Sequence, residues 1–184
     1  MGQSSIVWVR LDRPGHESAR LIEDSASQLL AGSAVFTEAH QPVRLDYRVT
    51  CDALWRTQRA SVQGWVGPTE VAVEIAVTPD GEWFLGGAAV PSVTGCTDID
   101  LNFSPSTNLL PIRRLSLAIG EEAAVRAAWL RFPSFNLEIL EQTYRRLGSR
   151  LYQYASAGFS ARLEVNDAGF PAIYGDVWRA EATS

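Results

Sequence analysis

The sequence has few of the residues that most often build metal and redox sites. Of its 184 residues only two are cysteines, Cys51 and Cys96, and only two are histidines, His16 and His40. No spacing among these four fits a zinc ligand set, so we predict no metal and no cofactor. Because both histidines lie beside turn residues, they give no basis for a Ser-His-Asp or Cys-His catalytic set.

Long hydrophobic runs are missing as well. No stretch of about eighteen apolar residues occurs, so we predict no membrane span. The opening residues MGQSSIVWVR lack the apolar core of a signal peptide, and Ile6 stands where a myristoylation motif has Ser or Thr. We therefore expect a cytoplasmic protein with reduced cysteines, while a disulfide between Cys51 and Cys96 stays open on the sequence alone.

Clustered basic residues are also absent. The formal net charge is −5 at pH 7, and the arginines are scattered between the predicted strands. A protein that binds a phosphate backbone needs clustered Lys and Arg, so this balance argues against nucleic acid as the main partner. The composition leaves the oligomeric state open.

Short alternating strands are what the chain has in quantity. In Val43 to Cys51, apolar side chains alternate with polar ones, which is typical of a strand with one buried face. About ten such strands between turn residues predict a mainly β, antiparallel sheet that curls into an open or incomplete barrel. Residues 135–147 fit a helical face as well as a strand, and we predict a strand because strands flank them. At this length we treat residues 1–184 as a single domain.

One segment, residues 95–120, differs from the strands around it. Asp98 and Asp100 would share one face of an extended chain. Polar residues followed by Leu-Leu-Pro predict a short helix from about Asn108 to Leu115. In one interpretation, both aspartates form an ion-pair network with Arg113 and Arg114 that braces this segment.

A second interpretation gives the same segment a ligand. The guanidinium of Arg113 or Arg114 would hold a phosphate, sulfate or carboxylate headgroup in a bidentate manner. In a third, Asp98 and Asp100 bind a metal in an enzyme that acts on a phosphorylated or sugar ligand. The sequence leaves these interpretations open.

Two stretches of this segment carry a family resemblance. The residues GCTDIDL at 95–101 and TNLLPIRRL at 107–115 resemble the signature of a bacterial family named "putative glycolipid-binding", formerly a domain of unknown function. Further matches include Leu45-Asp46-Tyr47, Trp55 and Gln142-Thr143-Tyr144-Arg145-Arg146, so that the resemblance covers nearly the whole chain. Residues 103–106 depart from the usual pattern before Thr107.

The resemblance implies an open, curled antiparallel barrel with helical elements, similar to the bacterial lipoprotein-carrier (lipoprotein localisation factor) group. It also implies a concave apolar cavity for acyl chains, and hence non-catalytic binding of a glycolipid or another amphiphile. The alternatives are a structural or protein-interaction domain with a filled core, or the metal-dependent enzyme. The candidate ligand-binding residues are Arg113, Arg114, Asn108, Tyr47, Trp129 and Tyr144, and the candidate structural ion-pair residues are Asp98 and Asp100.

Overall fold

The structure, a computed structural model, describes residues 2–184 and is built around one continuous sheet of fifteen strands. The strands lie in the spatial order β8-β7-β6-β5-β4-β3-β2-β1-β15-β14-β13-β12-β11-β10-β9. Their bounds are β1 Gly2–Arg10, β2 Gly15–Glu23, β3 Ser27–Glu38, β4 Gln41–Asp52, β5 Thr57–Val66, β6 Thr69–Val77, β7 Trp83–Leu85, β8 Ala88–Ala89, β9 Asp98–Leu101, β10 Glu122–Arg131, β11 Asn136–Arg146, β12 Leu151–Ser156, β13 Phe159–Val165, β14 Pro171–Tyr174 and β15 Trp178–Thr183. The prediction of a mainly β sheet that does not close into a barrel is confirmed.

The first and last strands, β1 and β15, are neighbours in the middle of this sheet. From β1 the chain runs by successive hairpins to one edge at β8. It then crosses to the opposite edge at β9 and returns to the centre through β10–β15. All neighbouring pairs are antiparallel except β9 and β10, which are parallel. Parallel neighbours need a long crossover. Residues 95–120, which we call the signature segment, supply it.

The sheet contains more strands than the sequence predicts, because some strands are very short and a turn separates two others. The edge strands β8 and β9, and β7 next to β8, have only two to four residues each. The last part of the chain forms two short strands, β14 and β15, which are separated by a turn in which Gly175 has a positive φ of 49°. Residues 135–147 form β11, so the strand prediction there is confirmed.

The signature segment fills the concave side of the sheet. A single turn of 3-10 helix, Ser106–Asn108, leads into helix α1, Leu109–Leu115. Every residue from Phe103 to Ile112 is buried. The helix lies where the sequence predicts it, but no side chain caps its N-terminus. The polar residues before it instead bond to the sheet and the neighbouring loop.

Strand β9 is buried except for the partly exposed Asp100, and its side chains alternate between two faces. Ile99 and Leu101 pack into the main hydrophobic core, while Asp98 and Asp100 point to the opposite face. That face meets a smaller core that contains Tyr144 and is built on β10–β13 and α1. The two aspartates therefore share one face, as predicted, but the face is an interior one.

A buried carboxyl group anchors the segment to the sheet. Glu17 Oε1 accepts hydrogen bonds from the hydroxyls of Tyr47 and Ser104, both at 2.6 Å, and Tyr47 also lies 2.6 Å from Ser106 Oγ. Glu17 Oε2 has no protein partner. Burial raises the pKa of Glu17 to about 8, although the bonds from Ser104 and Tyr47 lower it. Near neutral pH Glu17 is therefore mainly protonated.

The absence of a side chain at Gly32 gives Tyr47 its place in this cluster. Gly32 pairs with Tyr47 across β3 and β4. A Cβ at Gly32 would lie 2.5 Å from Tyr47 Cζ and 2.7 Å from the backbone oxygen of Ser18. Only glycine leaves room for the ring to lie over β3 and reach Glu17.

Among residues 2–184, no helix has the length and apolar character needed to cross a membrane. Both cysteines are buried free thiols.

We predict that Glu17→Gln changes the pH dependence of stability. Since the folded state raises the pKa of Glu17, it holds a proton that the unfolded state loses above about pH 4.5. The contribution of Glu17 to the free energy of unfolding of the wild type therefore falls as pH rises from about 4.5 to about 8. The variant lacks this loss, so its stability relative to wild type should rise by about 2–4 kcal/mol between pH 5 and pH 8. Urea denaturation followed by tryptophan fluorescence measures it.

The matched control for this prediction is Glu74→Gln, which changes an exposed carboxylate on β6. We expect its stability to follow the wild type across the same pH range. If the free energy of unfolding of Glu17→Gln differs from that of the wild type by the same amount at pH 5 and at pH 8, Glu17 does not hold a buried proton.

We also predict that Gly32→Ala is destabilising, because the new methyl group overlaps Tyr47 and displaces its hydroxyl from Glu17. Overpacking of this kind costs about 1–3 kcal/mol in the free energy of unfolding, measured by urea denaturation. In Gly148→Ala the new Cβ would lie 3.6 Å from Leu151 Cβ, an ordinary contact, so this control should remain near wild type. Equal stability of the two variants would disprove the steric argument.

Candidate functional site

Because the strands alternate in direction, seven connections lie together at one end of the sheet. They are β2–β3 (residues 24–26), β4–β5 (53–56), β6–β7 (78–82), β8–β9 (90–97), α1–β10 (116–121), β11–β12 (147–150) and β13–β14 (166–170). Helix α1 also ends here. We call this the cleft end of the molecule.

Two clefts open at the cleft end, on either side of the last turn of α1. Cleft 1 has a volume of about 950 Å³ and lies between the β4–β5 and β6–β7 connections, with Arg114 in its wall. Cleft 2 has a volume of about 470 Å³ and lies between α1 and the β11–β12 and β13–β14 connections, with Arg113 in its wall. Both volumes fall in the range of small-molecule sites, roughly 300–1,000 Å³.

Trp55 and Arg113 form the wall of cleft 2 that is nearer to cleft 1. The Arg113 guanidinium lies over the Trp55 ring, 4.8 Å from its centroid. Arg113 also forms an ion pair with Glu23. Trp55 has a φ of 65° and Ser116, which also lines cleft 2, a φ of 45°. Positive φ is costly for side chains other than glycine, and such residues cluster at functional sites.

Arg114, the neighbour of Arg113, lines cleft 1, but its guanidinium is bonded to a buried carboxylate. Its Nε and Nη2 donate to the two carboxylate oxygens of Asp98 at 3.0 and 2.6 Å. Asp98 is 1% exposed and Arg114 is 21% exposed. Burial raises the pKa of Asp98, against the hydrogen bonds and charge of Arg114, which lower it. This bidentate pair fixes α1 to β9.

Asp100 takes a different partner. Its Oδ2 accepts a hydrogen bond from Gln142 Nε2 at 2.7 Å, and the same amide lies 3.1 Å from the hydroxyl of Tyr154. Burial raises the pKa of Asp100 to about 6, and the bond from Gln142 lowers it. The expected ion-pair network therefore consists of Asp98 with Arg114, while Asp100 belongs to an amide and tyrosine cluster.

The other predicted ligand-binding residues lie away from both clefts. Tyr47 belongs to the Glu17 cluster, and Tyr144 donates a hydrogen bond of 2.8 Å to Asn108 Oδ1. These three are at most 4% exposed. Trp129 lies toward the opposite end of β10, under the guanidinium of Arg131 at 5.2 Å. The structure thus brings only Arg113 and Arg114 of the six to the clefts.

Of the residues that line the clefts, only Arg113 and Arg114 were predicted from the sequence as site residues. Arg146 and Arg150 line cleft 2, and Leu54, which is 60% exposed, lines cleft 1. An exposed Leu beside a Trp in a four-residue connection was a usable signal. The arginines gave none, because their meeting with α1 depends on the order of distant strands.

The residues described, 2–184, contain no group of three or more His, Cys, Asp or Glu side chains placed to hold a metal ion. The two aspartates with metal-site spacing use their carboxylates on Arg114 and Gln142.

Comparison with known proteins adds a family and a fold. The family described as "Putative glycolipid-binding" matches residues 5–180. A crystal structure of a DUF1089 family protein from Pseudomonas aeruginosa at 1.80 Å resolution is similar, with a TM-score of 0.77 and 30% sequence identity. The match covers 89% of this chain and 91% of that one. No curated protein matches the chain.

We predict that breaking the Asp98–Arg114 pair from the arginine side is strongly destabilising. Arg114→Met leaves the Asp98 carboxylate buried without a partner, which should cost about 3 kcal/mol in the free energy of unfolding. The double variant Asp98→Asn with Arg114→Met should recover part of this loss, since the unpaired charge is gone. Urea denaturation of the two single variants and the double variant measures the coupling energy.

The matched control is Arg44→Met, which breaks the exposed pair of Arg44 and Asp46 on β4, where N and O lie 2.7 Å apart. Exposed pairs contribute about 0–1 kcal/mol. If Arg114→Met is no more destabilising than Arg44→Met, Asp98 and Arg114 do not brace the segment.

Proposed function

The chain belongs to the family described as "Putative glycolipid-binding", and from this premise we propose that it binds a glycolipid or a similar amphiphile at the cleft end, without catalysing a reaction. The observation that carries the proposal is that two polar clefts open at the same end as several exposed aliphatic side chains. A ligand with a polar headgroup and an apolar tail matches such a surface.

The clefts suit the headgroup. Cleft 1 is lined by hydrogen-bonding side chains of both charges, among them Asp52, Arg56 and Gln58. Such groups donate to and accept from hydroxyl groups on neighbouring carbon atoms, which is what a sugar presents. Cleft 2 adds Arg113, whose guanidinium is held in place by the Trp55 ring.

The rim of the clefts suits the tail. Leu54 on the β4–β5 connection, Ile119 on the α1–β10 connection and Leu147 on the β11–β12 connection are 60%, 64% and 38% exposed. They belong to three different connections of the cleft end. Burying such side chains against an alkyl chain is favoured by about 25 cal/mol per Å² of apolar surface.

The concave face is a poorer place for the ligand. The resemblance implies an apolar cavity there, but the chain's own residues, Phe103 to Ile112, occupy this space. Emptying it would expose Leu109 and Leu110, which are at most 1% exposed, and would break the Glu17 cluster. The proposal therefore locates the ligand at the end of the curled sheet.

The proposal assigns no catalytic group. Asp98 and Asp100, the residues of the metal-enzyme hypothesis, are bonded to Arg114 and Gln142. A cytoplasmic location is part of the same proposal, since both cysteines are free thiols and thiols persist in reducing compartments.

We predict that the protein binds alkyl glucosides more tightly as the alkyl chain lengthens. Each added CH₂ should contribute up to about 0.8 kcal/mol while it finds apolar surface to cover. Titration calorimetry with octyl, nonyl and decyl glucoside, each below its critical micelle concentration, measures the dependence. In the variant Leu54→Ser the gain in affinity per added CH₂ should be smaller, because the rim of cleft 1 then offers less apolar surface.

The control for this prediction is Leu11→Ser. Leu11 is 45% exposed and lies in the β1–β2 connection at the opposite end of the sheet. We expect it to bind the glucosides as the wild type does. The proposal fails if no glucoside binds, or if the affinity is independent of chain length. The location at the cleft end is wrong if Leu11→Ser and Leu54→Ser change the affinity for the glucosides equally.

A further inference from the structure

The charges of cleft 2 permit a sharper statement about the ligand. We infer that its headgroup carries an anionic group, a phosphate or a carboxylate, which binds in cleft 2 to Arg146 and Arg150 beside Arg113. That this anion belongs to an amphiphile rests on the proposed function. The anion site itself is argued from the walls of cleft 2.

The two clefts differ in charge. The charged side chains that line cleft 2 are three arginines and one aspartate, Asp167. Cleft 1 is lined by three arginines and two aspartates, and one of its arginines, Arg114, is neutralised by the buried Asp98. When Glu23 is counted as the partner of Arg113, cleft 2 still keeps one positive charge. Cleft 1 keeps none.

The uncompensated charge is that of Arg146. Its guanidinium donates to three backbone oxygens, those of Leu117 at 2.7 Å, Ser149 at 2.8 Å and Gly148 at 3.2 Å. Carbonyl oxygens fix the position of a guanidinium but do not cancel its charge. Three of its five N–H groups are used, so two remain for a ligand. The group also lies over the Tyr152 ring at 5.7 Å, which restricts its movement.

Arg150 has a partner that a ligand can replace. It pairs with Asp167 across the mouth of cleft 2, and these side chains are 61% and 86% exposed. Exposed pairs of this kind contribute about 0–1 kcal/mol, so they open readily. An anionic headgroup entering the cleft can take the place of the Asp167 carboxylate and form the bidentate contact that a guanidinium favours.

Arg113 completes the site from the side of α1. It is 34% exposed and stacked on Trp55, so its orientation toward the cleft is set before a ligand arrives. Gly169 lies beside it, where a Cβ would be 3.3 Å from Arg113 Cδ. A group bound between Arg113, Arg146 and Arg150 would meet cations from three separate elements, α1, β11 and the β11–β12 connection.

The test compares three probes: inorganic phosphate, dihexanoyl phosphatidic acid and the neutral octyl glucoside. We expect wild-type protein to bind phosphatidic acid more tightly than octyl glucoside, and added salt to weaken only the phosphate probes. Arg150→Gln should weaken both phosphate probes about tenfold, the loss of one charged hydrogen-bonded contact. Asp167→Asn should strengthen them about threefold, because the competing carboxylate is gone. Titration calorimetry measures all of these affinities.

The matched control is Arg59→Gln, which removes the same charge from cleft 1. It should leave the phosphate affinities unchanged. The inference is overturned if Arg59→Gln and Arg150→Gln weaken them equally, or if octyl glucoside binds as tightly as phosphatidic acid. In both cases the proposed function still stands. If phosphate binds through Arg150 but neither amphiphile binds, the anion site stands and the proposed function falls. If no probe binds, both fall.

Discussion

The architecture depends on one constraint: a polar segment passes through the inside of a curled sheet, and its polar groups must be bonded there. An unpaired buried polar group costs about 1–3 kcal/mol, and more when it is charged. The sheet supplies Glu17 for Ser104, Tyr144 for Asn108 and Gln142 for Asp100, while α1 supplies Arg114 for Asp98. These partners hold residues 98–115 in one register against the strands.

The same constraint determines where a ligand can bind. The segment occupies the concave side, and both clefts open at the end where α1 stops and seven connections converge. Connections tolerate exposed side chains and strained backbone better than the strands do. Leu54, Trp55 and Ser116 are of this kind. The sheet thus acts as a rigid frame, and recognition is assigned to the connections.

The sequence predicts what is local and misses what depends on distant pairing. The alternation of apolar and polar side chains from Val43 to Cys51 identifies β4, because the polarity of each side chain indicates the face of the strand on which it lies. The helix is found because Pro111 and the leucines around it mark its start. No local pattern shows that β9 pairs in parallel with β10, or that Gln142 meets Asp100. Glu17 was detectable in principle, since it shares the inward face of β2 with Ala19 and Leu21.

The adjacent arginines show how this affects the candidate site. Successive residues of a helix point about 100° apart, since a turn contains 3.6 residues. Arg113 and Arg114 therefore cannot both face one ligand from α1. Asp98 fixes Arg114 as the brace of the segment, and this leaves Arg113 directed into cleft 2, over Trp55. Of the two interpretations of the sequence, the ion-pair brace therefore applies to Arg114, and the headgroup contact is left to Arg113.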